Sequence, residues 1–539
     1  MIEELSSEDR VWDLCVVGTG PVGMAMALEF ERLGREVLVL ESGGTEAAAA
    51  TTEASRAVIL TPKTHAPMAE TVHRALGGAS WTWGGRCVPY DDVDFARRDF
   101  VADAHWPFGH DEIRPWYTPA AEFMVSGSDK FTAPYKQELT HDLTFDRLER
   151  WVRQREVILV HREHLLASPQ IKLSLNSTVT DLNLSADGER VESLSVAMPG
   201  GVRTVKARRI VLAMGGVETT RLLLHVQQRW PDHFGGADGA LGRYYMGHLA
   251  GILANIHFDK RPAFDDLDFS VDEYGTYRRR RLVLTEEAQL RNKVLNTVFW
   301  PDNPYFQDPS HRNGAISFVY LTLAFRPLGK RFISEGIRKA LTGTEEVQWG
   351  AHIRNVLLGG PRAARDLYRI LRDRFLRSPK KPGFLVESAT NSYPLKYHAE
   401  QIPTRDSRIT IGDETDDFGL PRAVIDFRYA DQDIDSVVRS HTLLDEALRA
   451  NGLGRLEYLY PPEKLAEKAF AQAADGYHQV GTTRMGTDPA ASVVDPDLKV
   501  HGVENLFVAS SSVFPTSGQA NSTFLAVAFG IRLAHHLSK

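Results

Sequence analysis

A histidine stands beside a glycine-threonine-threonine turn in "GYHQVGTTRMG", residues 476–486, about sixty residues before the last residue of the chain. An imidazole titrates near pH 6.5, so His478 suits proton abstraction near neutrality. At the other end, "WDLCVVGTGPVGMAMALEFERLGREVLVLESGG" sets Gly18-x-Gly20-x-x-Gly23 between an apolar strand and a helical pattern. Gly18 permits the tight turn, Gly20 the approach of backbone to a pyrophosphate, and Gly23 close packing of helix on strand. The helix amino terminus then offers free N–H groups to the phosphates. Glu41 ends the next strand, 18 residues after Gly23, where a carboxylate accepts hydrogen bonds from an adenosine ribose and repels a 2′-phosphate.

Those residues need a sheet to hold them. "RRIVLAMGGVETTRLLL" (208–224) reads as a parallel strand, a turn at Gly215 and Gly216, and a helix start. The stretch 503–537 repeats that pattern near the carboxyl terminus. "RALGGASWTWGGRCVPYDDVDF" (74–95) sets four glycines among aromatics, as a loop lying against a flat ring requires. Cofactor contacts drawn from segments so far apart favour extended FAD over a nicotinamide dinucleotide held in one compact unit. No second GxGxxG follows a strand, so the electrons are expected to come from an organic substrate.

The chain has 539 residues, 43% apolar and 25% charged, with a net charge of -7. That length points to two domains or one two-part architecture. The acidic balance argues against nucleic acid as a partner. Two cysteines, Cys15 and Cys87, exclude a disulfide framework. "MIEELSSEDRVWDL" lacks an apolar signal core, so a cytoplasmic location is expected, and no apolar run reaches the roughly 18 residues of a membrane span. "GAISFVYLTLAF" (314–325) comes nearest and reads as a buried strand. Nothing matches GxSxG or a phosphate-binding P-loop. His161 and His164 lack a third ligand at zinc spacing, so no metal site is expected.

Taken in order, GxGxxG with Glu41, "GGASWTWGGR", "IVLAMGGVETTRLLL", "HQVGTTRMG", "VDPDLKVHGVENLFVASSSVFPT" and "ANST" resemble the glucose-methanol-choline (GMC) oxidoreductases. "VIDFRY" (424–429) and the carboxyl-terminal block are most similar to the pyranose oxidase and glycoside 3-oxidase branch. The resemblance implies FAD-dependent oxidation of a secondary sugar or glycoside hydroxyl, at C3 or C2 of a glucosyl-type ring, to a ketosugar, with dioxygen or another acceptor reoxidising the flavin. It makes His478 and Asn521 the catalytic pair: His478 takes the hydroxyl proton while hydride leaves for the flavin, and Asn521 donates an amide N–H to the same oxygen. It places Gly18, Gly20, Gly23, Glu41, Ser80, Gly84, Gly85, Val179, Gly215, Ser510, Ala520, Ser522 and Thr523 against the cofactor. The family's Asn-Pro-Thr appears here as Asn521-Ser522-Thr523, without the stiffening proline. Thr82 stands where pyranose oxidases carry the histidine that bonds FAD, which implies a non-covalent flavin. Arg484, Met485 and His501 fall at turn positions and read as structural. Two alternatives remain: a GMC enzyme for a non-sugar alcohol, and a non-catalytic flavin-binding assembly subunit, against which the intact pair argues.

The expected fold class is α/β, a discontinuous Rossmann-like FAD-binding domain (10–100, 165–250 and 485–539) with an α+β substrate-binding domain (100–165 and 250–485) built on a mainly antiparallel sheet. Oligomerisation is left open. "SRITIGDETDDFGLPRAVIDFRY" supplies two alternating strands. A basic insertion at about 326–381 carries 14 Lys and Arg against 5 Asp and Glu. Its last part sets Ala364, Leu367, Ile370, Leu371 and Phe375 on one helical face, read as a solvated surface helix or, alternatively, a helix on a membrane surface. Within it, residues 341–362 read as a long glycine-bracketed loop and thus a substrate lid, with Trp349 stacking on a sugar and His352 beside it.

Overall fold

The computed structural model describes residues 10–46, 53–260, 264–332, 342–343 and 346–539. The first nine residues, which carry the expectation about location, lie outside that range, as do 333–341, 344 and 345 of the basic insertion.

The glycine motif belongs to a seven-stranded sheet. Val11–Val17 is flanked in parallel by Val37–Leu40 and by the far half of the long strand Gly201–Leu212, in register Val16 to Val211. Ile171–Ser174 extends the parallel part beyond Val37–Leu40, and Leu506–Val508 does so beyond Gly201–Leu212. Val11–Val17 is buried on both faces from Leu14 onward and reads VWDLCVV, the near-continuous apolar run that a covered parallel strand requires. The first half of Gly201–Leu212 turns antiparallel to Val191–Met198, which pairs with Thr178–Leu184. Helices Pro21–Arg32 and Thr523–Leu537 pack together on the sheet. They do so through Gly530, where an added Cβ would lie 2.7 Å from Val22.

A second, six-stranded antiparallel sheet runs Gly454–Tyr458, His248–Phe258, Ser392–Glu400, Thr297–Pro301, Leu282–Leu284 and Leu143–Thr144. Asp431–Ala450 lays Ile434, Val437, Leu444 and Leu448 on it at helical spacing. His441 shares that buried face, edge-on to Phe299 and Tyr397, with Nδ1–H donating to the Val437 carbonyl at 2.7 Å. Burial pushes its pKa down to about 4. The folded protein thus holds it neutral where the unfolded chain, near 6.5, takes up a proton. Its neutral burial is fully tolerated above pH 6.5, and stability is lost as pH falls from there toward 4. His441→Phe is expected to remove about 1.4 kcal/mol per pH unit of that slope, read from denaturant unfolding at pH 7, 6 and 5. An unchanged slope would mean that His441 is charged in the folded protein.

Two expectations are corrected. "GAISFVYLTLAF" is helix Gly314–Ala324, not a strand. Asn313 caps it by accepting the Ile316 N–H at 3.0 Å, and a twelve-residue stretch outlasts a typical strand. The expected lid loop is also helical: Trp349–Leu371 runs against Gly314–Ala324 and breaks at Gly360, φ 51°, before Pro361. Gly359 allows the crossing, since its Cβ would lie 3.0 Å from Gly314 Cα. His352 is buried with its ring nitrogens on Ser317 Oγ (3.0 Å) and the Gln307 carbonyl (3.2 Å). The alternating strands Arg408–Thr415 and Pro421–Asp426 form as read, but pair with Val58–Ile59 in a separate small sheet. Among the described residues no helix is long and apolar enough to cross a membrane.

Candidate active site

The first strand delivers Gly18 in the left-handed region, φ 102°, with its N–H donating to the Leu40 carbonyl at 2.7 Å. A Cβ there would strike the Ala213 carbonyl at 2.7 Å, and one on Gly23 would lie 2.0 Å from the Gly18 carbonyl oxygen. Gly23 therefore packs the helix rather than facing a ligand. Gly20 meets nothing within 4 Å and borders open cleft. Helix Pro21–Arg32 has proline in its first turn and no side-chain cap, so its first N–H groups stay free for an anionic ligand. The opposite wall comes from "RALGGASW", where Gly78 sits so close that a Cβ would reach Gly20 Cα at 2.9 Å.

Glu41 lines the same cleft. Its Oε2 accepts from Thr19 N–H (3.0 Å) and the Thr19 hydroxyl (2.5 Å), and Oε1 from Gly43 N–H (2.8 Å). Burial raises its pKa despite these bonds, so two ribose hydroxyls donating to it would relieve a real cost. The cleft is lined by Gly18, Gly20, Glu41, Val179, Gly215, Ser510, Ser522 and Thr523, as expected. Gly23, Ser80, Gly84, Gly85 and Ala520 do not line it. Ser80 instead donates to the Gly77 carbonyl at 2.7 Å, Ala520 is fully buried, and a Cβ on Gly85 would point at Val152. Sequence reading missed Arg74 in the lining, which bonds Ser55, Ser42 and Glu218.

His478 and Asn521 are not themselves cleft-lining, but Tyr477, Gln479 and Ser522 beside them are. Asn521 Nδ2 donates to His478 Nε2 at 2.8 Å. On the other side of the ring, His478 Nδ1 meets Asp475 Oδ2 at 2.9 Å. Asp475 also accepts the backbone N–H groups of His248 (2.7 Å), Tyr477 (2.9 Å) and His478 (3.2 Å). Burial works to raise its carboxyl, but the neighbouring His478 and the hydrogen bonds from His248 and His478 outweigh it and hold the group well below the usual carboxylate range. A permanent carboxylate at Nδ1 requires Nδ1–H, which leaves the lone pair on Nε2. The base is set up on the side facing Asn521.

Two further imidazoles close the cluster. His248 Nδ1 lies 3.0 Å from His478 Nδ1 and 3.3 Å from Asp475 Oδ2, and its ring stacks on His398 at 4.3 Å. Burial lowers the pKa of both, with His478 adding to the shift for His248, and His248, Arg86 and His478 for His398. Burial favours their neutral form, and His478 sets Nδ1 on the Asp475 carboxylate at 2.9 Å with Nε2 on the opposite side of the ring. Ligating atoms of His248, His398 and His478 lie within 4.8 Å of one another, close enough for a metal. Asp475, Ser517, Gln519 and Asn521 already provide each ring with a hydrogen-bond partner, and we read the cluster as proton-handling.

Asn521 differs from the sequence-based expectation in one respect: one of its two amide N–H groups is on His478, while its Oδ1 is buried without a hydrogen-bond partner. A hydroxyl reaching Nε2 must replace that amide contact. The missing proline at Ser522 is compensated by the loop before it. Gln519 accepts from Arg281 at 2.8 Å, donates to Asp91 at 2.9 Å, and gives its carbonyl to His398 at 2.6 Å. Arg484 is buried over the Tyr244 ring and bonds the Asp103 carbonyl, Met485 is buried, and His501 bonds Ser492 and the Gly486 carbonyl, all turn-fixing roles.

Residues 13–239 match the FAD binding domain family and residues 403–530 the GMC oxidoreductase family. The chain is 21% identical to 6'''-hydroxyparomomycin C oxidase of Streptomyces lividus over 99% of this chain and 93% of that protein. It is 36% identical to C-glycoside 3-oxidase of Arthrobacter globiformis over a shorter stretch, 23% of this chain and 22% of that one. The structure of pyridoxine 4-oxidase from Mesorbium loti superposes with a TM-score of 0.53 at 17% identity, covering 97% of this chain and 99% of its own, a likeness of fold.

Proposed function

Because the chain belongs to the GMC oxidoreductase family and is an FAD-dependent enzyme acting on CH–OH groups, we propose that it oxidises a secondary hydroxyl of a sugar or glycoside, at C3 or C2 of a glucosyl-type ring, to a ketosugar. The observation that carries the chemistry is His478 held between Asp475 and Asn521, at 2.9 and 2.8 Å. The relatives named C-glycoside 3-oxidase and 6'''-hydroxyparomomycin C oxidase support a sugar-like substrate.

Gly18, Gly20, Thr19, Glu41 and the free N–H groups of Pro21–Arg32 would hold the dinucleotide part of FAD, and Gly215, Ser510 and Thr523 its remainder. Bound FAD supplies the hydride acceptor. His478 Nε2 takes the hydroxyl proton as the carbinol C–H leaves as hydride, so the substrate becomes a ketone without passing through a free alkoxide. Asp475 balances the imidazolium that results, and Asn521, freed from Nε2, holds the reacting oxygen. Dioxygen or another acceptor then takes the two electrons. Thr82, exposed in the aromatic loop with its hydroxyl directed to the Ala79 carbonyl, has no imidazole nitrogen to bond a flavin, which supports a non-covalent cofactor.

A turnover panel of glucosides, free pyranoses, sterols and short primary alcohols, with an artificial acceptor, tests this reading. Glucosides and pyranoses should give the highest kcat/KM and a keto product. Faster oxidation of a non-sugar alcohol, or flavin that no alcohol reduces, would overturn it in favour of the other two alternatives.

A further inference from the structure

Helix Trp349–Leu371 is turned inside out for a protein in water. Its buried positions are His352, Asn355, Ala363 and Asp366. Its solvent side carries Trp349 (46% exposed), Ile353 (47%), Leu357 (76%), Leu358 (74%) and Leu371 (50%), followed by Leu376 (77%) in the next turn. Single exposed apolar residues need no explanation, but a contiguous run on one helix does. Phe318 on the adjoining helix and Phe325 just past its end, 45% and 56% exposed, add exposed apolar surface.

The exposed charged side chains of this helix are all arginines. Arg354 lies between Leu357 and Leu358 around the helix, and Arg365 and Arg369 border the stripe made by Tyr368 and Leu371. Residues 326–381 hold 14 Lys and Arg against 5 Asp and Glu, leaving 49 against 65 in the rest of the chain. A basic, apolar face on an acidic protein is oriented by a negatively charged surface.

We propose that this face docks on a lipid bilayer rich in anionic headgroups, with the helix lying in the interface. Leucine and tryptophan side chains enter the acyl boundary, and the arginines extend to the phosphates. No described helix is long and apolar enough to span, so the contact is peripheral. The Gly360 break divides the helix into two shorter segments.

The test is flotation of the FAD-loaded protein with phosphatidylcholine vesicles, alone or with 30% (about one lipid in three) phosphatidylglycerol, across salt concentration. Binding is expected only to the anionic vesicles and to weaken with salt. Both Leu357→Gln/Leu358→Gln and Arg354→Gln/Arg369→Gln should lower it at least about tenfold. All four positions are exposed, so flavin content and turnover of a soluble substrate should match wild type. Equal partition into neutral vesicles, or binding unchanged in both variants, overturns the proposal. So does a sedimenting dimer that Leu357→Gln/Leu358→Gln dissolves without any vesicle binding by wild type, which would make the face a contact between copies of this chain.

Discussion

His478→Ala is expected to lower kcat by about 100- to 10,000-fold at neutral pH while the flavin stays bound. His478 does not itself line the flavin-binding cleft, while its neighbours Tyr477 and Gln479 do, so its loss removes a proton acceptor and not a cofactor contact. Without a base, the hydroxyl proton must go to water as hydride leaves, and the developing alkoxide has no counter-charge nearer than Asp475, itself an anion. The residual rate should therefore rise with pH, and added imidazole should restore part of it. Asn521 has no ionisable group to substitute for the base, and His248 and His398 are kept neutral by burial and aimed at Ser517 and Gln519. A variant within twofold of wild type would remove His478 from the mechanism.

Asp475→Asn should be nearly as costly, although it touches no reacting atom. The carboxylate satisfies three backbone N–H groups and one imidazole N–H together. An asparagine has one oxygen for these four donors. If that oxygen takes the backbone groups of Tyr477 and His478, the amide N–H faces His478 Nδ1 and forces the proton onto Nε2. The base then presents a donor where it needs a lone pair. We expect kcat to fall about 100-fold or more, with KM and flavin content close to wild type, because Asp475 is a positioning residue and not a binding one. A shift of the pH profile of kcat should accompany the loss. A change in flavin content or thermal stability, with kcat per flavin unchanged, would reduce Asp475 to a structural role.

The parts of this site that were readable in the sequence are those encoded locally. GxGxxG, Glu41 and the Gly215 turn each lie in one strand-turn-helix segment, and the left-handed backbone of Gly18 and Gly215 calls for glycine there. His478 and Asn521 were legible through the resemblance of the segments around them. Asp475, three residues before His478, was in plain view in "ADGYHQ". Its role becomes visible only when the turn places its carboxylate under Nδ1. His248 and His398 had no local signal at all, since they meet through the pairing of strands 150 residues apart, in register Ala250 to His398. The lid expectation failed because glycines were read as hinges. Gly359 instead allows two helices to touch, and Gly360 breaks one of them. Hydrophobic periodicity found the helix after Pro361 but could not say which way it faced, because its buried side is the polar one.

The most direct measurement is anaerobic single-turnover reduction of the bound flavin by methyl glucosides carrying deuterium at one carbon at a time. Deuterium at C3 or C2 is predicted to slow flavin bleaching by a primary isotope effect, and deuterium at C6 to leave it unchanged. An isotope effect from C6 alone, or flavin that glucosides fail to bleach while a non-sugar alcohol does, would contradict the assignment of this site to a secondary sugar hydroxyl.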